Sequence, residues 1–345
     1  MESASFPSAM ARETAEAPEA VARLLAGEGA AIGALGRRLA AMAPPVVVTC
    51  ARGSSDHAAH YLKYLLETSL GVPVASVGPS VASVYGTRLR LRGAVVVTIS
   101  QSGRSPDLVA FQAAARQGGA LTVALVNDTT GPVAAEADVV VPLCAGPETS
   151  VAATKSFVSS CAAGAALVAA WAGDAALERA LSGLPERLAA ALACDWAAAA
   201  PLAVGPSGFV VGRGPALALA HEMALKAKEV AGLHREAFSL AEVMHGPLQL
   251  LGPGFPVLAL VPDDAALAAN LEALARLVAT GAEVLAASPV AGLPGVALPA
   301  MGCGHGALDP LGMVLGFYRW VEALARAKGL DPDRPSRLAK VTRTV

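Results

Sequence analysis

Charge is scarce in this sequence: 16% of its 345 residues are Asp, Glu, Lys or Arg, and the formal net charge is −2. The basic residues are scattered rather than blocked, which excludes a surface built to track nucleic-acid phosphates. Cysteine is sparse as well. Cys50, Cys144, Cys161, Cys194 and Cys303 are odd in number, far apart and without C-x-x-C spacing, a pattern of reduced thiols rather than of a disulfide framework or a zinc site. No G-x-x-x-x-G-K-[ST] occurs, and no G-x-G-x-x-G follows a strand with an acidic residue about 20 positions on, which disfavours nucleotide and dinucleotide cofactors. Arg12, Glu13 and Glu16 precede any apolar run, so the N-terminus lacks a signal-peptide core and a cytoplasmic location is expected. Mean hydropathy is high at +0.52, yet the alanine-rich run Ser159–Gly173 is about one turn short of the ~18 residues that would suggest a membrane span, and reads as a buried helix.

What is present is alternation. Short β-branched runs (Val46–Cys50, Ala94–Ser100, Leu121–Asn127, Val139–Leu143) are separated by alanine-rich helical stretches, the pattern of a parallel sheet covered on both faces. A second series follows at Phe209–Gly212, Pro256–Val261, Glu283–Ala287 and Val296–Pro299. Arg52-Gly53 aligns with Arg213-Gly214 at an offset of 161, and the other runs recur at close to 160, so two copies of one α/β unit are predicted rather than a chance likeness of alanine-rich composition. The expected division is a helical segment at 1–35, domains at 36–174 and 207–330, a helical connector at 175–206, and a tail at 331–345.

Two features carry chemistry. In HEMALKAKEVAGLH, Glu222, Lys226 and Glu229 stand at i, i+4 and i+7, which places two carboxylates and an ammonium on one helical face. Such a stripe is often a solvated surface. Here it follows a strand-to-helix switch ending in Gly-Arg-Gly and lies sixteen residues before His245 in a Met-His-Gly-Pro loop. The other feature is a pair of hydroxyl-rich loops at strand ends, Arg52-Gly-Ser54-Ser55-Asp56 and Ser100-Gln101-Ser102-Gly-Arg-Ser105. These residues can cap helices, but two such loops side by side at helix N-termini suit a phosphate dianion. The equivalent loop of the second copy reads Val-Pro-Asp-Asp, with carboxylates in place of hydroxyls.

Those blocks, with Val151-Ala-Ala-Thr-Lys-Ser-Phe, His245-Gly-Pro and Arg337-Leu-Ala-Lys340-Val-Thr, resemble the sugar isomerase (SIS) family in its tandem form over nearly the whole chain. The nearest likeness is to the isomerase half of glutamine–fructose-6-phosphate aminotransferases and to hexosamine-6-phosphate deaminases. The resemblance implies two flavodoxin-like (SIS) domains, each a parallel sheet flanked by helices. It implies that Ser54, Ser55, Ser100, Gln101, Ser102 and Ser105 hold a sugar phosphate, that Val151 and Ala339 contact the sugar, and that Glu229 shuttles the proton between C1 and C2. His245 would open the pyranose ring from the other subunit of a homodimer. Lys340 would close over the open-chain sugar, able to form a Schiff base if no anion lies near it, and Glu222 and Lys226 would line the same pocket. No metal or organic cofactor is implied.

Departures from the aminotransferases set the expected reaction. The stretch before Val46 is too short for a glutaminase domain, Ala153 stands where aminotransferases usually carry serine, and Arg52-Gly-Ser-Ser-Asp-His looks more like the deaminases. The expectation is glucosamine 6-phosphate plus water going to fructose 6-phosphate plus ammonia. Rivals are a deaminase or deglycase of another 6-phosphosugar, an aldose–ketose isomerase, and a phosphosugar sensor, although the ~40 residues before Val46 show no basic recognition helix. His57 and His60 at i, i+3 lack a third metal ligand. His221, His234 and His305 read as structural, with His234 near enough to Glu229 to reach the pocket.

Overall fold

The computed structural model describes residues 7–340. Two helices, α1 (Ala9–Ala15) and α2 (Ala17–Met42), precede the first sheet. The chain then runs β1 (Val47–Cys50), α3 (Ser54–Leu70), β2 (Val74–Ser76), α4 (Ser80–Ser83), β3 (Val95–Ser100), α5 (Pro106–Gln117), β4 (Leu121–Val126), α6 (Pro132–Ala135), β5 (Val139–Pro142) and α7 (Lys155–Ala172). Helices α8 (Ala175–Ser182) and α9 (Leu184–Ala191) and a 3₁₀ turn at Ala197–Ala203 lead to the second half. It comprises β6 (Phe209–Gly212), α10 (Pro215–Ala231), β7 (Glu236–Ser239), β8 (Pro256–Leu260), α11 (Leu267–Ala279), β9 (Glu283–Ser288), β10 (Val296–Pro299) and α12 (Asp309–Ala327).

Both sheets are five-stranded and wholly parallel, ordered β2-β1-β3-β4-β5 and β7-β6-β8-β9-β10. Read from the N-terminal strand of each half, the two orders are one flavodoxin-like order, so the repeat anticipated from sequence is a repeat of topology. The central strands β1, β3 and β6 are buried along their whole length, which is why they are continuous apolar runs. β2 and β7 did not show as apolar runs because both are short edge strands, largely open on at least one face.

One apolar core extends from α2, α3 and α7 across to α10 and α12 and contacts both sheets, while two smaller clusters lie beneath the outer faces. The halves therefore share their main core instead of each enclosing its own. Small residues allow this: a Cβ on Gly36 of α2 would lie 2.8 Å from Ala170 of α7, so the two helices meet at a distance only glycine permits. α7 is long and apolar enough to cross a membrane by composition, but it is 83% buried between these helices. α2 runs unbroken through residue 35, so that anticipated boundary falls within a helix. Val341 and Thr342 of the C-terminal block lie outside the described residues.

Candidate active site

The carboxyl ends of β1 and β3 open into a cleft of about 360 Å³, where parallel sheets of this order bind ligands. Its floor is the pair of loops marked by sequence: Ser54 and Ser55 from one, Ser100, Gln101, Ser102 and Ser105 from the other. Were these hydroxyls helix caps, they would bond first-turn amides. They do not: the N-cap of α3 is Gly53 and that of α5 is Ser105, and neither makes a side-chain cap bond. The N-terminal ends of two helices, of 17 and 12 residues, thus flank the floor, an arrangement that favours an anion.

Gly53 has φ 56 and ψ −134, backbone that a side chain resists. Gly103 at φ 60 turns the second loop, with its amide bonded to Ser100 Oγ at 3.0 Å. Arg52, also on the cleft wall, is fixed by Asp107, whose Oδ2 accepts from Arg52 Nε at 2.9 Å and Nη2 at 2.8 Å.

The opposite wall comes from the second half. α10 packs on α3 and presents Lys226 and Glu229 to the cleft. Lys226 Nζ donates to Glu229 Oε2 at 2.5 Å and to Ser54 Oγ at 2.9 Å, and lies 3.3 Å from Glu222 Oε1. Glu222 was expected to line the same pocket, but it is fully buried behind Lys226. Its carboxylate accepts from Tyr318 OH at 3.0 Å and pairs with His57 Nδ1 at 2.9 Å. Burial alone would raise the Glu222 carboxyl; Lys226, His57 and Tyr318 outweigh it and hold the group below its usual range. For Lys226, burial alone favours the neutral amine, but Glu222 and Glu229 prevail and keep it an ammonium. Glu229 Oε2 takes a bond from Lys226, and its side chain is 22% exposed, facing the cleft.

The third wall is the loop after β5 and the C-terminal tail, where Val151, Ala153, Leu338, Ala339 and Lys340 line the cleft. Lys340 is not remote from anions, as Schiff-base chemistry would prefer. Its Nζ donates at 3.0 Å to Oε2 of Glu148, a carboxylate with no exposed surface. Glu148 also accepts from the amides of Thr154 and Ser156 and from Ser156 Oγ at 2.7 Å, capping α7. The tail is tied down at Asp333: its carboxylate takes the amides of Ala9 and Met10 at 2.7 and 2.8 Å, and its carbonyl takes Val151 N at 3.0 Å. Glu13 of α1 bonds Thr149 and Ser150 of the adjoining loop. Glu148 and Glu13 carried no motif in the sequence, since each acts on residues far away in the chain or on bare backbone; Asp333-Arg334-Pro335 reads from sequence as a turn that redirects the tail over the site, but not as the tie to Ala9, Met10 and Val151.

The remaining histidines divide clearly. His245 lies on an exposed 3₁₀ turn and does not line the cleft of its own chain. His234 is exposed and near Ser207, away from the cleft, so it does not reach the pocket. Among the described residues no cluster of three or more His, Cys, Asp or Glu is placed to hold a metal ion; His57 and His60 instead lie beside His221, with ring centroids 5.8 and 5.5 Å from it.

A hydroxyl-lined anion cradle facing a carboxylate–ammonium stripe is the arrangement implied by the SIS resemblance, and comparison with known proteins decides the matter. The SIS domain pattern matches residues 45–170. A crystal structure from Silicibacter pomeroyi DSS-3, of a protein provisionally named a phosphosugar isomerase, is 46% identical and superposes with a TM-score of 0.88 over 95% of this chain and all of that one. The chain belongs to the SIS domain family. Among curated SIS relatives, the isomerizing glutamine–fructose-6-phosphate aminotransferase of Aeropyrum pernix is 35% identical over 98% of this chain and 57% of its own length. That of Halobacterium salinarum is 34% identical over 85% and 51%. The chain thus spans about half the length of these relatives. The glucosamine-6-phosphate deaminase of Thermotoga maritima shares the SIS fold, with a TM-score of 0.75 at 18% identity.

Proposed function

We propose that this SIS protein is a phosphosugar deaminase that converts glucosamine 6-phosphate and water to fructose 6-phosphate and ammonia. The observation that carries the reading is Glu229 facing the cleft across from the serine cradle, with Lys226 bonded to both Glu229 and Ser54. The 6-phosphate lies on Ser54, Ser55, Ser100, Gln101, Ser102 and Ser105, and the sugar passes between Val151 and Ala339. Once the ring is open, Glu229 takes the proton from C2 and returns it to C1, while the C1 oxygen gains a proton from solvent and the amino nitrogen gives one up to it, which converts the 2-amino aldehyde to a 1-hydroxy-2-imine. Water adds at C2, ammonia leaves, and the ketone remains. Lys340, held by Glu148, serves as an ammonium that stabilises the developing enolate oxygen; acting as a Schiff-base amine would first require that it lose a proton.

Ring opening is assigned to His245 of a second copy in a homodimer, a reading supported by the exposed position of His245 outside its own cleft. An amino substrate is supported by the names of the curated relatives, glutamine–fructose-6-phosphate aminotransferases, while Ala153 in the cleft wall, where those enzymes usually carry serine, favours deamination over amino transfer. The test is ammonia release and ketose formation from a panel of 6-phosphosugars, with glucosamine 6-phosphate first. Equal rates of the two products establish the deaminase. Aldose–ketose interconversion without ammonia assigns an isomerase, and tight binding with neither product assigns a sensor.

A further inference from the structure

His57 plays no part in the reaction just described, yet it is tied to the reacting carboxylate by an unbroken line of polar contacts. His57 Nδ1 meets Glu222 Oε2 at 2.9 Å, Glu222 Oε1 meets Lys226 Nζ at 3.3 Å, and Lys226 Nζ meets Glu229 Oε2 at 2.5 Å. The line begins at a ring whose side chain is 20% exposed, crosses Glu222 and Lys226, which are buried, and ends at the cleft. It also joins the two halves of the molecule. The first turn of α3 supplies both Ser54, which accepts from Lys226, and His57, which binds Glu222 on α10.

Lys226 is shared between two carboxylates, so whatever else satisfies Glu222 decides how much of the ammonium is left to Glu229. Tyr318 supplies one hydrogen bond to Glu222 and His57 the other. We propose that His57 is a positioning residue which, by holding Glu222, keeps Lys226 on Glu229 and thereby sets the pH range in which Glu229 works as the base. This rests on the assignment of Glu229 made above. Removing His57 draws Lys226 back to Glu222 and leaves Glu229 less compensated, hence protonated at higher pH.

Other charged and titratable groups surround this line. On α3, Asp56 and His60 flank His57, with Arg52 just before the helix; from α10 come His221, with Lys228 beyond it, and from α7 Cys161 lies against Glu222. The side-chain hydrogen bonds to Glu222 instead come from His57 and Tyr318, which is why His57 is singled out.

The experiment compares His57→Ala, His57→Asn and Tyr318→Phe with the wild type in the full chain. The expected result for His57→Ala is a fall in kcat of about three- to tenfold with KM within about twofold, and an acid limb of the kcat/KM profile moved up by about half a pH unit or more. Asn presents an N–H where Nδ1 stood, so His57→Asn brings the limb part of the way back. Tyr318→Phe removes the other bond to Glu222, on the oxygen that faces Lys226, so it is expected to move the acid limb in the same direction as His57→Ala. In parallel, the 13C carboxyl resonance of Glu222, assigned with Glu222→Gln, is titrated in the wild type and His57→Ala. Protonation of Glu222 at higher pH in the variant is expected. That shift in a protein that turns over no amino sugar phosphate refutes the reaction assignment while the coupling stands. An unmoved acid limb in an active His57→Ala, or an unmoved Glu222 resonance in His57→Ala, overturns the inference.

Discussion

The two halves of the molecule have the same strand order and the same backbone at the first strand-to-helix turn. Gly53 sits at φ 56, ψ −134 and Gly214, 161 residues later, at φ 60, ψ −136. What differs is what occupies the ends of the strands. In the first half, β3 runs into open serines and a cleft. In the second, β8 runs into Val-Pro-Asp263-Asp264, where the chain supplies its own anion: Asp309 Oδ2 accepts the amide of Asp263 at 3.1 Å and Oδ1 that of Cys303 at 2.7 Å. Gly306 closes the space further, since a Cβ there would lie 2.4 Å from Asp263 O. One scaffold thus bears a site left open for a ligand and a site filled by a carboxylate. The second half contributes to the cleft from its helix α10 instead, whose Lys226 and Glu229 face the first half.

That division can be broken at its strongest point first. Glu229→Gln should lower kcat by about 10²–10⁴-fold, the usual worth of a general base, with KM for the phosphosugar within about threefold; steady-state kinetics at several pH values give both numbers. Next comes the cradle. Ser102→Ala should raise KM by about ten- to a hundredfold, as the loss of one hydrogen bond to a charged group worth about 1.5–3 kcal/mol, with kcat little changed.

The matching change in the closed site should do the reverse. Asp309→Ala leaves two backbone amides without their acceptor and should cost about 1–3 kcal/mol of stability in a urea titration, with kcat/KM within about twofold. A Ser102-like effect on KM there would erase the distinction between the halves.

The smallest effect concerns the seam. His60 on α3 and His221 on α10 are related by the same offset as the two glycines, and their rings lie 5.5 Å apart. Burial, with His57, His60 and Lys228 nearby, pushes His221 down to about 4 from an ordinary 6.5. Below pH 6.5 the unfolded chain then binds a proton that the folded one refuses, so stability falls as the pH drops toward 4. His221→Asn should flatten that fall, read as the change in urea midpoint between pH 7 and 4.5.

Much of this was legible in the sequence because it is local. Four strands of each half are contiguous apolar runs, the cradle is two short motifs, and the Lys226–Glu229 stripe is one helix face. What escaped is either poorly marked or long-range. β2 and β7 are short edges with little apolar signal. The position of Glu222 behind Lys226 could not be read from spacing, because spacing fixes a helical face but not how deep it lies. The Lys340–Glu148 pair joins residues 192 apart, and the His57–Glu222 pair residues 165 apart. Each changes the chemistry assigned to a residue the sequence had already singled out.

The most direct test of the divided site is a single NMR experiment on fructose 6-phosphate with an ammonium salt in D2O, following the 31P line of the ester and the C1 protons together. The wild type should broaden the phosphorus line and exchange a C1 proton for deuterium. Glu229→Gln should broaden the line without exchange, and a Ser102→Ala, Ser105→Ala variant should do neither at the same concentration. Exchange that persists without the Glu229 carboxylate, or phosphate binding that survives loss of both serines, would contradict the account.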